Sequence, residues 1–103
     1  MDPKDFLNID PILMDRVRLV IMATLAASKK PMDFTTLLET LELSKGNLST
    51  HIRKLEDAGL VKVRKEFIER KPRTSYSCTT QGRREMKHYL NSIEALLEGT
   101  KKK

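Results

Sequence analysis

Leu37-Leu38-Glu39-Thr40-Leu41-Glu42-Leu43-Ser44, continuing through Lys45-Gly46-Asn47-Leu48-Ser49-Thr50-His51-Ile52-Arg53-Lys54 to Leu55-Glu56-Asp57-Ala58-Gly59-Leu60-Val61, is the stretch that decides how this chain folds. Leu37, Leu38 and Leu41 give a short helix one apolar side, and Thr35 or Asp33 can cap its start. Leu43 closes that helix onto a core. Ser44 is a good N-cap, and Leu48, Ile52 and Leu55 follow it at i, i+4 and i+7, which predicts a second helix over residues 45–58 with one narrow apolar stripe. Gly59 ends it. The period then changes from helical to alternating, with Val61 and Val63 set against Lys62 and Arg64, so a strand begins there.

Upstream, Met32-Asp33-Phe34 is a short extended candidate. Before it, Asp10-Pro11 combines a cap with a proline suited to a first helical position, and Leu13, Val17, Val20, Ile21, Thr24 and Leu25 recur at helical spacing. Leu19, Met22, Ala23 and Ala26 make the other side apolar too, so this helix should be central, ending before Ser28-Lys29-Lys30-Pro31. Downstream, Glu69-Arg70-Lys71-Pro72-Arg73 reads as a polar turn, and residues 74–79 as a second strand in which Tyr76 and Cys78 alternate with Ser75 and Ser77. Thr79 or Thr80 can cap a last helix carrying Met86, Tyr89, Leu90, Ile93, Leu96 and Leu97 before Gly99. The expected order is helix, short strand, helix, helix, strand, strand, helix.

Two short helices joined by a tight turn have the helix-turn-helix layout, and the hairpin after them supplies a wing. On Arg18-Leu19, Leu41-Glu42-Leu43-Ser44, Asn47-Leu48-Ser49 with His51, Leu55-Glu56-Asp57-Ala58-Gly59-Leu60-Val61, Arg70-Lys71-Pro72-Arg73-Thr74 and Thr79-Thr80-Gln81-Gly82-Arg83, the sequence resembles winged-helix transcriptional regulators of the MarR/ArsR superfamily, of the small archaeal and bacterial single-domain type. The resemblance spans roughly Ile12 to Leu97. It implies a mainly α (α+β) chain: one winged-helix domain over 1–103, with the helix-turn-helix at about 35–58 and a two-stranded wing at about 60–79. A short third strand and a C-terminal dimerisation helix at about 80–98 complete it. Glu42 departs from the glycine often found at that turn; a left-handed conformation there costs a non-glycine residue about 1 kcal/mol, which is tolerable.

Charge points the same way. The 103 residues carry 20 Lys+Arg against 14 Asp+Glu, a formal net charge of +6. Residues 1–44 hold five basic and seven acidic side chains, residues 45–73 hold nine and four, and residues 74–103 hold six and three. The surplus therefore gathers on the predicted second helix of the motif and on the wing, a footprint suited to a polyanion, because each neutralised phosphate releases condensed counterions. With Leu48, Ile52 and Leu55 inward, a projection at 100° per residue puts Gly46, Thr50, Arg53 and Asp57 outward, flanked by Asn47, Ser49 and Lys54. Base-edge contact is assigned to Lys45, Asn47 and Thr50, and the groove walls to Ser49 and Arg53 with Lys54 beside them. Gly46 would let the backbone approach closely. Arg70, Lys71 and Arg73, clustered around a stiffening Pro72, suit backbone phosphate or a narrow minor groove. Arg64 and Lys65 are weighed equally as phosphate contacts and as an ordinary outward strand face.

The apolar stripe of the last helix is wider than one packing contact needs. Met86, Tyr89, Leu90, Ile93, Leu96 and Leu97, with Phe6, Leu7 and Ile9 (and Ile12) near the N-terminus, are assigned to a homodimer interface, as the resemblance implies. A two-fold dimer sets recognition helices roughly 34 Å apart, on half-sites about 10 bp apart. The expected partners are thus double-stranded DNA and a second copy. The resemblance leaves room for a small-molecule effector but identifies none.

His51 projects beside the core stripe, and neither it, His88 nor Cys78 forms a close ligand pair, so no metal, cofactor or catalytic residue is expected. Cys78 shares its strand's inward face with Tyr76 and reads as a core cysteine. No phosphate loop, nucleophile elbow or metalloprotease motif is present, so the chain does not read as an enzyme. Without a basic n-region and an apolar run at the start, a cytoplasmic location without a membrane segment is expected. The competing reading is a winged helix that contacts protein or RNA inside a transcription or RNA-processing complex.

Overall fold

The computed structural model describes residues 2–101, with side chains through residue 99. Two 3-10 helices, Pro3–Asn8 and Pro11–Leu13, precede α1 (Arg16–Ala27), β1 (Met32–Asp33), α2 (Phe34–Leu41), α3 (Lys45–Asp57), β2 (Val61–Ile68), β3 (Lys71–Cys78) and α4 (Thr80–Lys101). From β1 onward the order matches the sequence expectation. No helix is long and apolar enough to cross a membrane among these residues.

The start of the first helix differs from expectation. Asp10-Pro11 caps only the second 3-10 helix, and α1 begins at Arg16, where Asp15 accepts hydrogen bonds from the Val17 and Arg18 amides at 2.9 and 3.0 Å. A second Asp with two amide donors is a stronger stop and restart than the hydrophobic spacing, which runs through Leu13 without a break. Leu13 is nonetheless fully buried, at the end of the second 3-10 helix rather than within α1.

The sheet is antiparallel in the order β1-β3-β2, with Met32 opposite Tyr76 and Val63 opposite Tyr76 across the other edge. Its core side meets α1, whose Ile21, Met22 and Leu25 are fully buried beside Leu37, Leu48, Leu55 and Leu60. Glu42 does adopt the left-handed conformation (φ 53°, ψ 43°) that ends α2, and Gly59 (φ 79°) ends α3 while the Leu60 amide reaches back to the Leu55 carbonyl at 3.0 Å. The wing is longer than the sequence suggests. Lys71 and Pro72 are not in the turn but pair with Ile68 and Phe67, leaving only Glu69 and Arg70 as the loop. β1 ends opposite Ser75, so at Pro72 the outer side of β3 is an edge, where a missing amide hydrogen is tolerated.

The Thr79–Arg83 motif joins three elements. Thr79 Oγ1 donates to the Gly59 carbonyl at 2.8 Å and accepts from the Gly82 amide at 2.9 Å, while Arg83 reaches the Ala26 carbonyl at the end of α1 at 2.8 Å. α4 then continues beyond Gly99 instead of stopping there. A Cβ at Gly99 would lie 2.9 Å from Pro3 Cγ, so this glycine admits the N-terminal 3-10 helix against α4 rather than ending a helix.

Candidate nucleic-acid interface

α3 starts where Ser44 Oγ accepts the Asn47 amide at 3.2 Å, and Leu48, Ile52 and Leu55 fix its rotation by burying one stripe. That rotation leaves Lys45, Gly46, Asn47, Ser49, Thr50, Arg53 and Lys54 exposed together on the opposite side. Among the described residues, the side chains of Lys45, Arg53, Lys54, Lys65, Arg70 and Lys71 have no carboxylate within 4.0 Å. Cations without an ion pair among the described residues can engage phosphate without first breaking an internal pair.

The inner wall of this surface is a cleft of about 290 Å³ between α3 and the sheet, lined by Ser49, Arg53 and Glu56 on one side and Lys65, Thr74 and Tyr76 on the other. Lys65 therefore stands across from Arg53 and joins the basic face. Its strand position had left it undecided; only the packing of β2 beside α3 shows which way it faces. Arg64 looks the other way and is paired with Glu66 at 3.4 Å. Burial pushes the Tyr76 hydroxyl above its usual range, with Glu56 adding to the effect, so it stays neutral at the floor of the cleft.

Arg73 is placed differently from Arg70 and Lys71. Its Nη2 donates to Asp33 Oδ2 at 3.0 Å, and Asp33 Oδ1 accepts the Thr36 amide at 2.8 Å as the cap of α2. The hydrogen bonds from Thr36 and the Arg73 guanidinium hold the Asp33 carboxyl below its usual range. Arg73 thus anchors the base of the wing to the helix-turn-helix, while Arg70 and Lys71 occupy its free end.

His51 lies on the flank of α3 and does not reach the exposed face. Its Nδ1 is 3.3 Å from Arg18 Nη1 and 4.0 Å from Asp15 Oδ1, and Arg18 Nε donates to the Ile12 carbonyl at 2.7 Å. The contact between the His51 ring and Arg18 ties α3 to the cap of α1. Nothing in the local sequence signals this contact, because its partners come from a different helix. Cys78 is half-buried near Gly82, and burial pushes its thiol up despite Arg83, as suits a core cysteine.

The residues assigned to a subunit interface divide into two groups. Ile9 and Met86 are buried in the chain's own core, and the Phe6 and Tyr89 rings pack 6.0 Å apart, so these four cover the chain itself. Leu7 (83% exposed), Leu90 (56%), Leu96 and Leu97 (58%) remain on the surface, with Ile93 half-buried among them. Alongside Tyr89, Gly99 of α4 meets the N-terminal segment at Pro3, and Ser92 and Ala95 are buried on the same helix, small residues that an apolar pattern does not single out.

A family model described as a winged helix DNA-binding domain matches residues 17–97. An uncharacterized protein of Methanocaldococcus jannaschii is 38% identical over 61 residues, 59% of this chain and 66% of that protein, so the match spans just under two thirds of the relative's length. Among solved structures, a transcriptional regulator homologue of Pyrococcus horikoshii OT3 superposes with a TM-score of 0.84 at 37% identity, over 94% of this chain and 97% of that one. A PadR family transcriptional regulator from Eggerthella lenta DSM 2243 shares the fold at 23% identity, with a TM-score of 0.65 over 84% of each chain.

Proposed function

The chain belongs to the winged helix DNA-binding domain family, with transcriptional regulators as its structural relatives, and from that premise we propose that it is a sequence-specific regulator binding double-stranded DNA as a homodimer. One observation carries this reading: the exposed face of α3 bears Lys45, Arg53 and Lys54, Lys65 stands across the cleft from it and Arg70 and Lys71 end the wing, all without an ion pair among the described residues. The whole chain acts as one winged-helix unit. α3 enters the major groove with Lys45, Asn47 and Thr50 at base edges and Ser49, Arg53 and Lys54 at the walls. Lys65, Arg70 and Lys71 meet backbone phosphate on the wing side.

The second copy docks on the exposed stripe of α4, Leu90, Ile93 and Leu97, with Leu96 and Leu7 at its margin. Burying the parts of these side chains that the chain itself leaves in water, most of Leu90, Leu97 and Leu7, supplies the association energy. No enzymatic role is proposed, and the structural relatives named above are described as transcriptional regulators.

Duplex fragments selected from the source genome, titrated at several salt concentrations, test the reading. The logarithm of affinity should fall steeply with the logarithm of salt, by about 0.9 per phosphate neutralised. Asn47→Ala should redistribute preference among sequences, and Lys71→Ala should weaken all of them alike. A flat salt dependence overturns the proposal.

A further inference from the structure

The tip of the wing has an apolar edge that no phosphate contact explains. Phe67 is 77% exposed and Ile68 41% exposed, at the outer end of β2. Phe67 pairs across the hairpin with Pro72, and cross-strand partners share a face, so ring and proline form one apolar ridge. Residues on a strand alternate, which puts Phe67 on the same side as Lys65 and Val63, the side lining the cleft against Ser49 and Arg53 of α3. The ridge therefore extends the surface that α3 presents, beyond where α3 can cover it.

The turn that holds this ridge is strained. Glu69 (φ 51°) and Arg70 (φ 69°) are both left-handed, and neither is glycine. A two-residue loop with both φ values positive gives the narrowest hairpin end, matched to strand twist. Such an end is a thin blade, and from Lys65 to the turn it projects roughly 13 Å at 3.3 Å per residue. Cations border the blade on both sides, Lys65 below and Arg70 and Lys71 at the end, while Glu69 is the acidic group at the tip itself.

We propose that the Phe67–Pro72 ridge is a minor-groove wedge: it enters the groove next to the one occupied by α3, pushes apart a base step and bends the duplex. This rests on the DNA-binding reading given above and adds a site to it. The occupant follows from complementarity. A groove about 6 Å wide and 7.5 Å deep, walled by phosphates and floored by base edges, admits a narrow edge carried between cations, and the apolar base faces that a forced-open step exposes are what an apolar ring and proline can cover. Wedges are inserted at least cost into pyrimidine–purine steps, which unstack readily, so such a step should recur at a constant distance from each major-groove half-site.

The chain contains no Trp, so Phe67→Trp installs a single reporter at the ridge. On addition of a selected duplex its emission should be strongly quenched by stacking, and end-to-end energy transfer should show the duplex bent. Phe67→Ala should remove most of the bend and lower affinity about tenfold, with the salt dependence unchanged because no charge is lost. Because Phe67 is exposed, the free variant should unfold at the same temperature. If the unsubstituted protein binds and Phe67→Ala retains both bend and affinity, or if Phe67→Trp is not quenched, the wedge is wrong while the DNA-binding reading stands. If Phe67→Ala changes the oligomeric state in the absence of DNA, the ridge is a protein contact and the wedge is likewise overturned. Failure of the unsubstituted protein to bind duplex at all overturns the DNA-binding reading itself, and the wedge with it.

Discussion

Arg73 of β3 and Asp33 at the head of α2 are bonded across 40 positions of sequence, Nη2 to Oδ2 at 3.0 Å. The bond joins the wing to the cap of the first helix of the motif. It also distinguishes two kinds of basic residue in a wing whose cations look alike in sequence. Among the described residues Arg70 and Lys71 have no ion pair, whereas Arg73 is already paired with Asp33.

Asp33→Asn should separate these roles. Asn caps a helix about as well as Asp, so α2 should keep its start and the thermal midpoint should move little. Arg73 loses its partner and becomes available to phosphate, so the salt dependence of DNA binding should steepen by up to about one unit of slope. Arg73→Ala should weaken binding through wing position, leaving the slope as it was, whereas Lys71→Ala should lower it by about one. An unaltered slope for Asp33→Asn would show that Arg73 contributes charge with or without its partner.

Acid should destabilise the fold through two caps. The Thr36 hydrogen bonds, then Arg73, hold Asp33 below its ordinary value; the Arg18 and Val17 amides, with the Arg18 guanidinium nearby, do the same for Asp15. A carboxyl whose folded pKa is depressed contributes stability that is fully present above its unfolded value of about 4 and is lost as pH falls through the folded value. Urea midpoints measured between pH 6 and pH 2 should therefore hold steady and then drop below about pH 4. The double substitution Asp15→Asn with Asp33→Asn should flatten that drop; an equally steep loss in the variant would assign it to other groups.

Two glycines should respond in opposite ways to alanine. A Cβ on Gly46 meets nothing within 4 Å, so Gly46→Ala should leave the fold intact or stabilise it by up to about 1 kcal/mol, yet weaken DNA binding by crowding the approach of α3. A Cβ on Gly82 would press on the Leu60 carbonyl oxygen, Cys78 Sγ at 2.9 Å and Met22 Cε at 3.0 Å, so Gly82→Ala should cost about 1–3 kcal/mol. Chemical denaturation and DNA titration of both variants give four numbers. Unimpaired DNA binding by Gly46→Ala would remove the close-approach role of that glycine.

The surface stripe of α4 predicts the oligomeric state. Replacing Leu90 and Leu97, each more than half exposed, by Glu should convert a dimer to a monomer in sedimentation with little change in monomer stability. Loss of the second DNA-contacting unit should reduce affinity for a two-half-site duplex by a factor on the order of 100 to 10,000. A variant that sediments as the parent does would move the interface elsewhere.

Much of the fold was legible because the signals that encode it are short. Ser44 caps α3 three residues before Asn47, Leu48, Ile52 and Leu55 repeat within two turns, and Val61 and Val63 change the period to that of a strand. The structure departs from the sequence expectation where two local signals compete. Asp10-Pro11 and Asp15 are both acceptable helix starts, and the two amide bonds at Asp15 decided between them. Likewise Lys71-Pro72 has turn composition but lies in β3, because Phe67 and Ile68 stand opposite it at an edge.

The sequence by itself determined the order of elements from β1 onward, and the apolar stripe of α3 and hence the exposure of Lys45, Asn47 and Thr50, since these follow from local spacing. Only the tertiary structure decided which charges and apolar groups remain for a partner. Asp33 neutralises Arg73, Glu66 engages Arg64, Arg18 holds His51 and the N-terminal segment covers Tyr89 but leaves Leu90 bare. Each of these is a contact between elements brought together by packing, and local periodicity carries no record of which distant side chain will arrive.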